Sequence, residues 1–344
     1  MTNKRATNIQ QVAKIVGCSR VTVARVFSNK VKVSDKTRRK VLKAAEESGY
    51  SPNLLARALR GGKTNSIALV CSLTGAHNPS EVPQEISRLF WENEAKSSFW
   101  GRAPMETMPM LLNDYLQRSV EGIVFEWQLS RRHEIPRKLL EEFKAAVIIS
   151  GEEQDIDADQ VIWTRSEAIC EAVDFLLKSE RKHPALVCVP ESNRTKLAAF
   201  DKTLEKYGIN PAEHHIFPEP NINLANPKGC HDTLSLKFPS GKIPFDSLVC
   251  ASDELAIVCI SWLKENGIKV PEDVAVIGFN NSELSAFISP PLASAERKHK
   301  EIGRTAYELL SSRMKNPDLP KRRIHIPMEF AWRESAGKYN RKGK

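Results

Sequence analysis

"NIQQVAKIVGCSRVTVARVFSN", residues 8–29, contains two short apolar stripes separated by a glycine. Ile9, Val12, Ala13 and Val16 recur at i, i+3, i+4 and i+7, one face of a helix for which Asn8 is placed to act as N-cap. "VGCS" interrupts the pattern: Gly17 can adopt the positive φ of a tight turn, and Ser19 can cap a second helix. In that helix Val23, Val26 and Phe27 point inward, which leaves Arg20, Val21 and Arg25 outside. A third helix is predicted from Ser34, its cap, to about Ser48, with Val41, Leu42, Ala44 and Ala45 as core positions. Three short helices with a glycine turn after the first make a helix-turn-helix module.

Charge gives the outward arginines a meaning. The 344-residue chain carries a net charge of +9. Residues 1–65 hold fifteen Lys and Arg against three acidic residues, so this end alone is at +12 and the remainder at −3. A second helix seated in a major groove presents its N-terminal side chains to base edges. Arg20 and Arg25 then suit guanine O6 and N7, and Val21 a thymine methyl. Asn8, Ser19, Thr22, Lys30, Lys32, Lys36 and Arg38 are placed for the DNA backbone, where they add affinity and salt sensitivity without discrimination.

With these motifs in view, "NIQQVAKIVGCSRVTVARVF" together with "VSDKTRRKVLKAAEESGYSPNLLARALRGGKTNSIALV" resembles the headpiece and hinge of the LacI/GalR family of bacterial transcription regulators. The likeness is continuous over about seventy residues, in the pattern V-A, G-x-S-x-x-T-V, V-S-x-x-T-R, G-Y-x-P-N, A-R-x-L. One departure is Ala24, where the family usually has serine. The resemblance implies a headpiece over residues 1–50 and a hinge over 51–64 that folds in pairs in the operator minor groove. There Leu59 would be the wedge between base pairs, with Asn53 and Ala56 beside it. Read without the resemblance, the segment is a short linker helix.

From residue 66 short β-branched strands ("SIALVCS", "VEGIVFEW", "AAVIISG", "DQVIWT", "PALVCVP", "DSLVCAS", "DVAVIGF") alternate with amphipathic helices, the mark of a parallel α/β sheet. The fold class is therefore α/β, an all-α headpiece followed by a larger body. The resemblance, weaker here, implies a two-lobed periplasmic-binding-protein-like domain over 65–337 for effector binding and dimerisation, then a basic tail over 338–344. Its N-lobe would span 66–162 and its C-lobe 163–292; the chain would then return to the N-lobe and finish near the hinge. Ligands of such folds bind at strand carboxyl ends, between the lobes.

The resemblance places Asn78, Thr164, Arg165, Arg194, Lys196, Leu224, Ser252, Asp253 and Asn280 around the effector cleft. Four of them depart from the family pattern: Lys196 stands for arginine, Asn280 and Thr164 for aspartates, and Leu224 for an aromatic platform. Without a guanidinium fork, a carboxylate or a stacking face, a neutral sugar is poorly held. Two readings stay open: an atypical ligand, with Lys196, Arg194 and Arg165 favouring an anion, or control by a partner or none at all.

The chain shows no dinucleotide or Walker loop, no nucleophile elbow and no histidine pair at metal spacing, so no enzyme activity, metal or cofactor is expected. Seven scattered cysteines without a C-x-x-C pair, and no signal peptide or long apolar run, point to a cytoplasmic protein. The composite expectation is a dimeric repressor on a pseudo-palindromic double-stranded operator. A sequence-blind nucleoid protein is the lesser reading, because it leaves the body unexplained.

Overall fold

The computed structural model describes residues 9–28, 33–50, 64–71, 81–94, 96–104, 106–126, 134–190, 193–218, 222 and 226–337. The chain divides into two compact units, Met1–Asn65 and Ser66–Lys344.

In the first unit, helices α1 (Ile9–Val16), α2 (Arg20–Ser28) and α3 (Asp35–Ser48) pack around Val12, Ala13, Val23, Val26, Val41, Ala44 and Ala45. Gly17 has φ 71°, the left-handed turn conformation. Ser19 Oγ accepts from the Thr22 amide at 3.0 Å and starts α2. Ser34 does the same for α3, accepting from the Thr37 amide, and Gly49 at φ 62° closes that helix. Leu42, predicted as core, is 44% exposed. It sits one position past Val41, about 100° around the helix, and that rotation turns it outward.

The second unit holds two six-stranded sheets. The N-lobe sheet comprises β1 (Ser66–Cys71), β2 (Ser97–Arg102), β3 (Ile123–Glu126), β4 (Ala146–Ser150), β5 (Asp159–Trp163) and β11 (Arg323–Ile326) in the order β11-β5-β4-β3-β1-β2. All of its pairings are parallel. Successive residues of β1 serve opposite faces. Ile67 and Leu69 meet α4 (Glu81–Glu94) and α11 (His299–Lys315) through Phe90, Ile302 and Leu310, while Ala68 and Val70 meet α5 (Met108–Gln117) and α6 (Glu134–Glu141) through Met108, Leu112 and Leu140. The C-lobe sheet comprises β6 (Pro184–Val187), β7 (His215–Ile216), β8 (Ser247–Cys250), β9 (Ala275–Phe279), β10 (Ala293–Glu296) and β12 (Glu329–Ala331) in the order β12-β10-β9-β8-β6-β7. It is packed by α7 (Arg165–Lys178), α8 (Arg194–Lys206), α9 (Pro227–Lys237) and α10 (Asp253–Glu265) around one continuous core.

The chain passes between the lobes at 163–165, 296–299 and 326–329. This corrects the predicted path in two places. "SPPLAS" leads into β10, which pairs with β9, so the C-lobe continues to Glu296 before the return. After β11 the chain crosses again: β12 pairs antiparallel with β10, and Ser335 Oγ donates to Val276 O at 2.6 Å. The C-terminal part thus finishes on the C-lobe sheet.

A buried ion pair closes the N-lobe. Asp159 is 0% and Arg313 1% exposed; Arg313 Nε and Nη2 each reach the Asp159 carboxylate at 3.1 Å, and the Arg322 amide donates to it at 2.8 Å. Arg313 also donates to the carbonyls of Pro317, Leu319 and Pro320, so one guanidinium ties β5, α11 and the turn before β11. Burial pushes the Asp159 carboxyl up, but hydrogen bonds from Arg313 and Arg322 outweigh it and hold its pKa below the ordinary value. Arg313→Met leaves that carboxylate buried without its partner and is expected to lower stability by about 3–5 kcal/mol in urea melts followed by circular dichroism. The pair contributes at neutral pH and fades as pH falls through the depressed pKa, so Asp159→Asn should show a shallower acid limb than the parent.

Candidate functional site: an exposed helix face and an inter-lobe cleft

On α2, Arg20, Val21 and Arg25 are all exposed, Val21 by 58%. At about 100° per residue they span an arc of roughly 140°, opposite the face carrying Val23 and Val26. Ala24 lies within that arc, so the outer surface there is a methyl with no hydroxyl to donate. The α1–α2 turn leaves a concave surface lined by Gln10, Lys14, Cys18, Ser19 and Arg20. Ser19 Oγ and Thr22 Oγ1 bond each other at 2.9 Å, which fixes the start of α2. Lys36 is exposed and Arg38 half-buried on the first turn of α3. Asn8, Lys30, Lys32, Asn53, Ala56 and Leu59 lie outside the described residues.

In the second unit, charged side chains meet where strand carboxyl ends of the two lobes face each other. Lys196, in the first turn of α8, is 6% exposed; its Nζ donates to Ala251 O at 2.6 Å and stands 4.4 Å from the Phe279 ring centroid, at the ends of β8 and β9. Burial lowers its pKa to about 7, and Arg165 and Arg297 push the same way, against Cys188 and Asp253. Arg165, at the start of α7, is buried against Gly151, where an added Cβ would lie 2.7 Å from its Nε, and it faces Glu152 at 3.7 Å. Arg297, between β10 and α11, lies 3.9 Å from the Trp163 ring centroid and donates to Glu126 at 2.7 Å, the end of β3. Trp163 packs against the cores of both lobes.

Several predicted cleft residues have other occupations. Asp253 is 0% exposed, and both of its oxygens are used: Ser294 Oγ reaches one at 2.6 Å, while the Ser282 amide and Ser285 Oγ reach the other at 2.6 and 2.8 Å. It pins β10 and the 282–285 turn to α10 and has no oxygen left for a ligand. Gly278 is there for the same reason, because a Cβ would collide with this carboxylate. Ser252 caps α10 by accepting from the Leu255 amide. Asn280 is exposed at φ 98°, its amide bonded to Ala295 O at 2.8 Å. Arg194 is exposed on the first position of α8, whereas Thr164 places its hydroxyl in a buried position with no hydrogen-bond partner among the described residues. Asn78 and Leu224 lie outside the described residues. Arg297, Trp163, Glu126 and Glu152 were not singled out from sequence. The position of "VIWT" and "VFEW" at strand carboxyl ends was the available signal for Trp163 and Glu126.

Among the described residues no group of three or more His, Cys, Asp or Glu side chains is arranged to hold a metal, and no helix is long and apolar enough to cross a membrane. His214, which closes the turn before β7, and His215, which begins that strand, diverge toward Pro184 O and Asp201. All seven cysteines are free, and Cys188, Cys230, Cys250 and Cys259 are buried.

Residues 8–53 match the model for bacterial regulatory proteins of the lacI family, and residues 173–336 that for a periplasmic binding protein-like domain. The chain thus carries a LacI-family helix-turn-helix domain and a periplasmic-binding-protein-like domain. The chain is 29% identical over 360 residues to the HTH-type transcriptional regulator DegA of Bacillus subtilis, covering 97% of this chain and 99% of the relative. It is 25% identical to the HTH-type transcriptional repressor PurR of Vibrio campbellii, covering 96% and 99%. Among solved structures, the Lac repressor dimer bound to operator and an anti-inducer superposes with a TM-score of 0.83 at 21% identity over 96% of this chain and 99% of that one. With these two domains the protein is a DNA-binding transcription regulator with a two-lobed α/β body.

The two kinds of headpiece contact separate experimentally. Arg20→Ala is expected to cost about 1–3 kcal/mol on specific DNA and to relax preference at one base position, measured by titration against a selected site and its single-base variants. Lys36→Ala should weaken all sequences alike and reduce the salt slope by about one. Equal losses on specific and random DNA for Arg20→Ala would remove it from the reading surface.

Proposed function

We propose that the protein is a dimeric repressor on a pseudo-palindromic operator, whose affinity for DNA is set by a small molecule held between the lobes. The carrying observation is the outward face of α2: two arginines and a valine exposed on a helix whose opposite side is locked into a three-helix core. Such a face reads one half-site, and two-fold operators are read by paired headpieces. Relatives named as repressors, and the fold shared with an operator-bound dimer, support this assignment.

The lobe junction supplies the means of control. Arg297–Glu126 and Arg165–Glu152 join groups on opposite sides of the cleft, so a ligand that competes for these cations changes the relative free energy of lobe arrangements. Lobe movement in turn sets the spacing of the two headpieces and whether segments 51–64 pair in the minor groove with Leu59 as wedge. A ligand acts only through its differential affinity for the two arrangements. Exposed apolar side chains, Trp91 at 65% and Phe287 at 85%, give a second copy of the chain something to cover.

The test is selection of binding sites from random DNA by the full chain, followed by sedimentation at equilibrium with and without the selected duplex. A recovered inverted repeat bound by two chains is the expected outcome. Recovery of no preferred sequence would leave only a sequence-blind DNA binder and overturn the proposal. Phe287→Asp should weaken self-association and, with it, affinity for the full repeat more than for one half-site.

A further inference from the structure

The charges at the lobe junction are unevenly provided for. Three cationic side chains, Arg165, Lys196 and Arg297, lie close enough to perturb one another. Glu152 faces Arg165 at 3.7 Å and Glu126 holds Arg297 at 2.7 Å. Among the described residues no carboxylate stands within ion-pair distance of Lys196, whose ammonium rests on a backbone carbonyl and an aromatic face. The nearest acid, Asp253, has both oxygens committed to serine hydroxyls and a backbone amide. Among the described residues three further buried groups have no hydrogen-bond partner: Arg297 Nε, a donor, and the hydroxyls of Thr164 and Thr195, which can donate or accept. A buried cationic nitrogen bonded to one neutral acceptor is an unfavourable resting arrangement, and an incoming carboxylate or phosphate is the group that relieves it. A neutral polyol can accept hydrogen bonds from these groups but brings no negative charge to set against three cations, and Asp253 has no oxygen left for its hydroxyls.

We propose that the cleft takes a small anionic metabolite, its carboxylate or phosphate received by Lys196 between Arg165 and Arg297. This rests on the reading of the protein as a ligand-modulated regulator and names the chemical class of that ligand. The geometry also gives binding a signature. The groups facing Lys196 are Arg165 from α7, Cys188 beyond β6, Asp253 from α10 and Arg297 from the second return crossing, with the Phe279 ring beneath. Burial and the two arginines leave Lys196 partly neutral near pH 7, so an anion must bring a proton in with it above that pH. Below it, the ammonium is already charged. Affinity for the anion therefore falls as pH rises from 6 to 9, by up to about tenfold per unit once Lys196 is mainly neutral.

The experiment is calorimetric titration and thermal melting of the full chain with inorganic phosphate, citrate, glucose 6-phosphate and glucose at pH 6 and pH 8. At least one of the three anions is expected to bind at one site per protomer and raise Tm, with weaker affinity at pH 8 and net proton uptake read from buffers of different ionisation enthalpy. Glucose should do neither. Lys196→Gln should abolish the anion response, and Lys196→Met, which keeps the side chain's bulk without a donor, should do the same; circular dichroism melts show that each variant folds. The inference is overturned if glucose stabilises the protein while the anions do not, if none of the three anions binds, or if the anion response persists unchanged in the Lys196 variants. Site-selective DNA binding by the unliganded chain is measured separately, so loss of the anion result with retained DNA selectivity strikes this inference alone.

Discussion

The two lobes are held in register by a guanidinium. Arg297 lies flat on Trp163, which belongs to both hydrophobic cores, and hands its charge to Glu126 at the end of the facing sheet. Desolvated charge is costly unless paired, and here carboxylate and ring both end strands of the N-lobe sheet while the guanidinium directly follows β10 of the C-lobe sheet. Moving one lobe relative to the other therefore exposes the tryptophan face or separates the ion pair. The junction has a small number of favourable arrangements instead of a continuum, which is the property a regulator needs.

The same economy of charge separates structure from recognition elsewhere. Asp159 and Asp253 are both fully buried and both saturated, one by arginines and one by hydroxyls and an amide. They organise their lobes and are closed to solvent. Arg20, Arg25 and Lys36 lie exposed on the surface, where an external polyanion can reach them. Lys196 belongs to neither group: buried like the structural charges, yet resting on a neutral carbonyl.

What could be read from the sequence follows from which surfaces are buried on both sides. β1, β3, β4, β5, β6, β8 and β9 are interior strands covered on both faces, so their residues form unbroken apolar runs, and all seven were legible. The edge strands β2, β7, β11 and β12 are short or half-exposed, and "SSFWGR" or "RIHI" shows no such run. β10, "ASAE", is built of small residues because Ser294 must reach Asp253, and it lies just past residue 292, where the resemblance ends the C-lobe. The three helices of the headpiece were legible, with the Ser19 and Ser34 caps, because each depends on local signals. The cleft was legible only as positions. That Asp253 is consumed by serines 29 to 41 residues away, and that Arg297 meets Glu126 across 171 residues, are long-range facts with no local periodicity to reveal them.

The threefold passage of the chain between lobes has a consequence for how the molecule is made. The N-lobe sheet takes its edge strand from residues 323–326 and one of its covering helices from 299–315, while its other strands come from 66–163. During translation the headpiece has all of its helices by Ser48 and can fold at once, but the first lobe stays incomplete until nearly the whole polypeptide has left the ribosome. The C-lobe, whose strands β6 to β10 are contiguous, gains most of its core earlier. The last stretch of chain thus supplies an edge strand to each lobe in turn, residues 323–326 to the one and 329–331 to the other, and neither sheet is complete until nearly all of the polypeptide has been made.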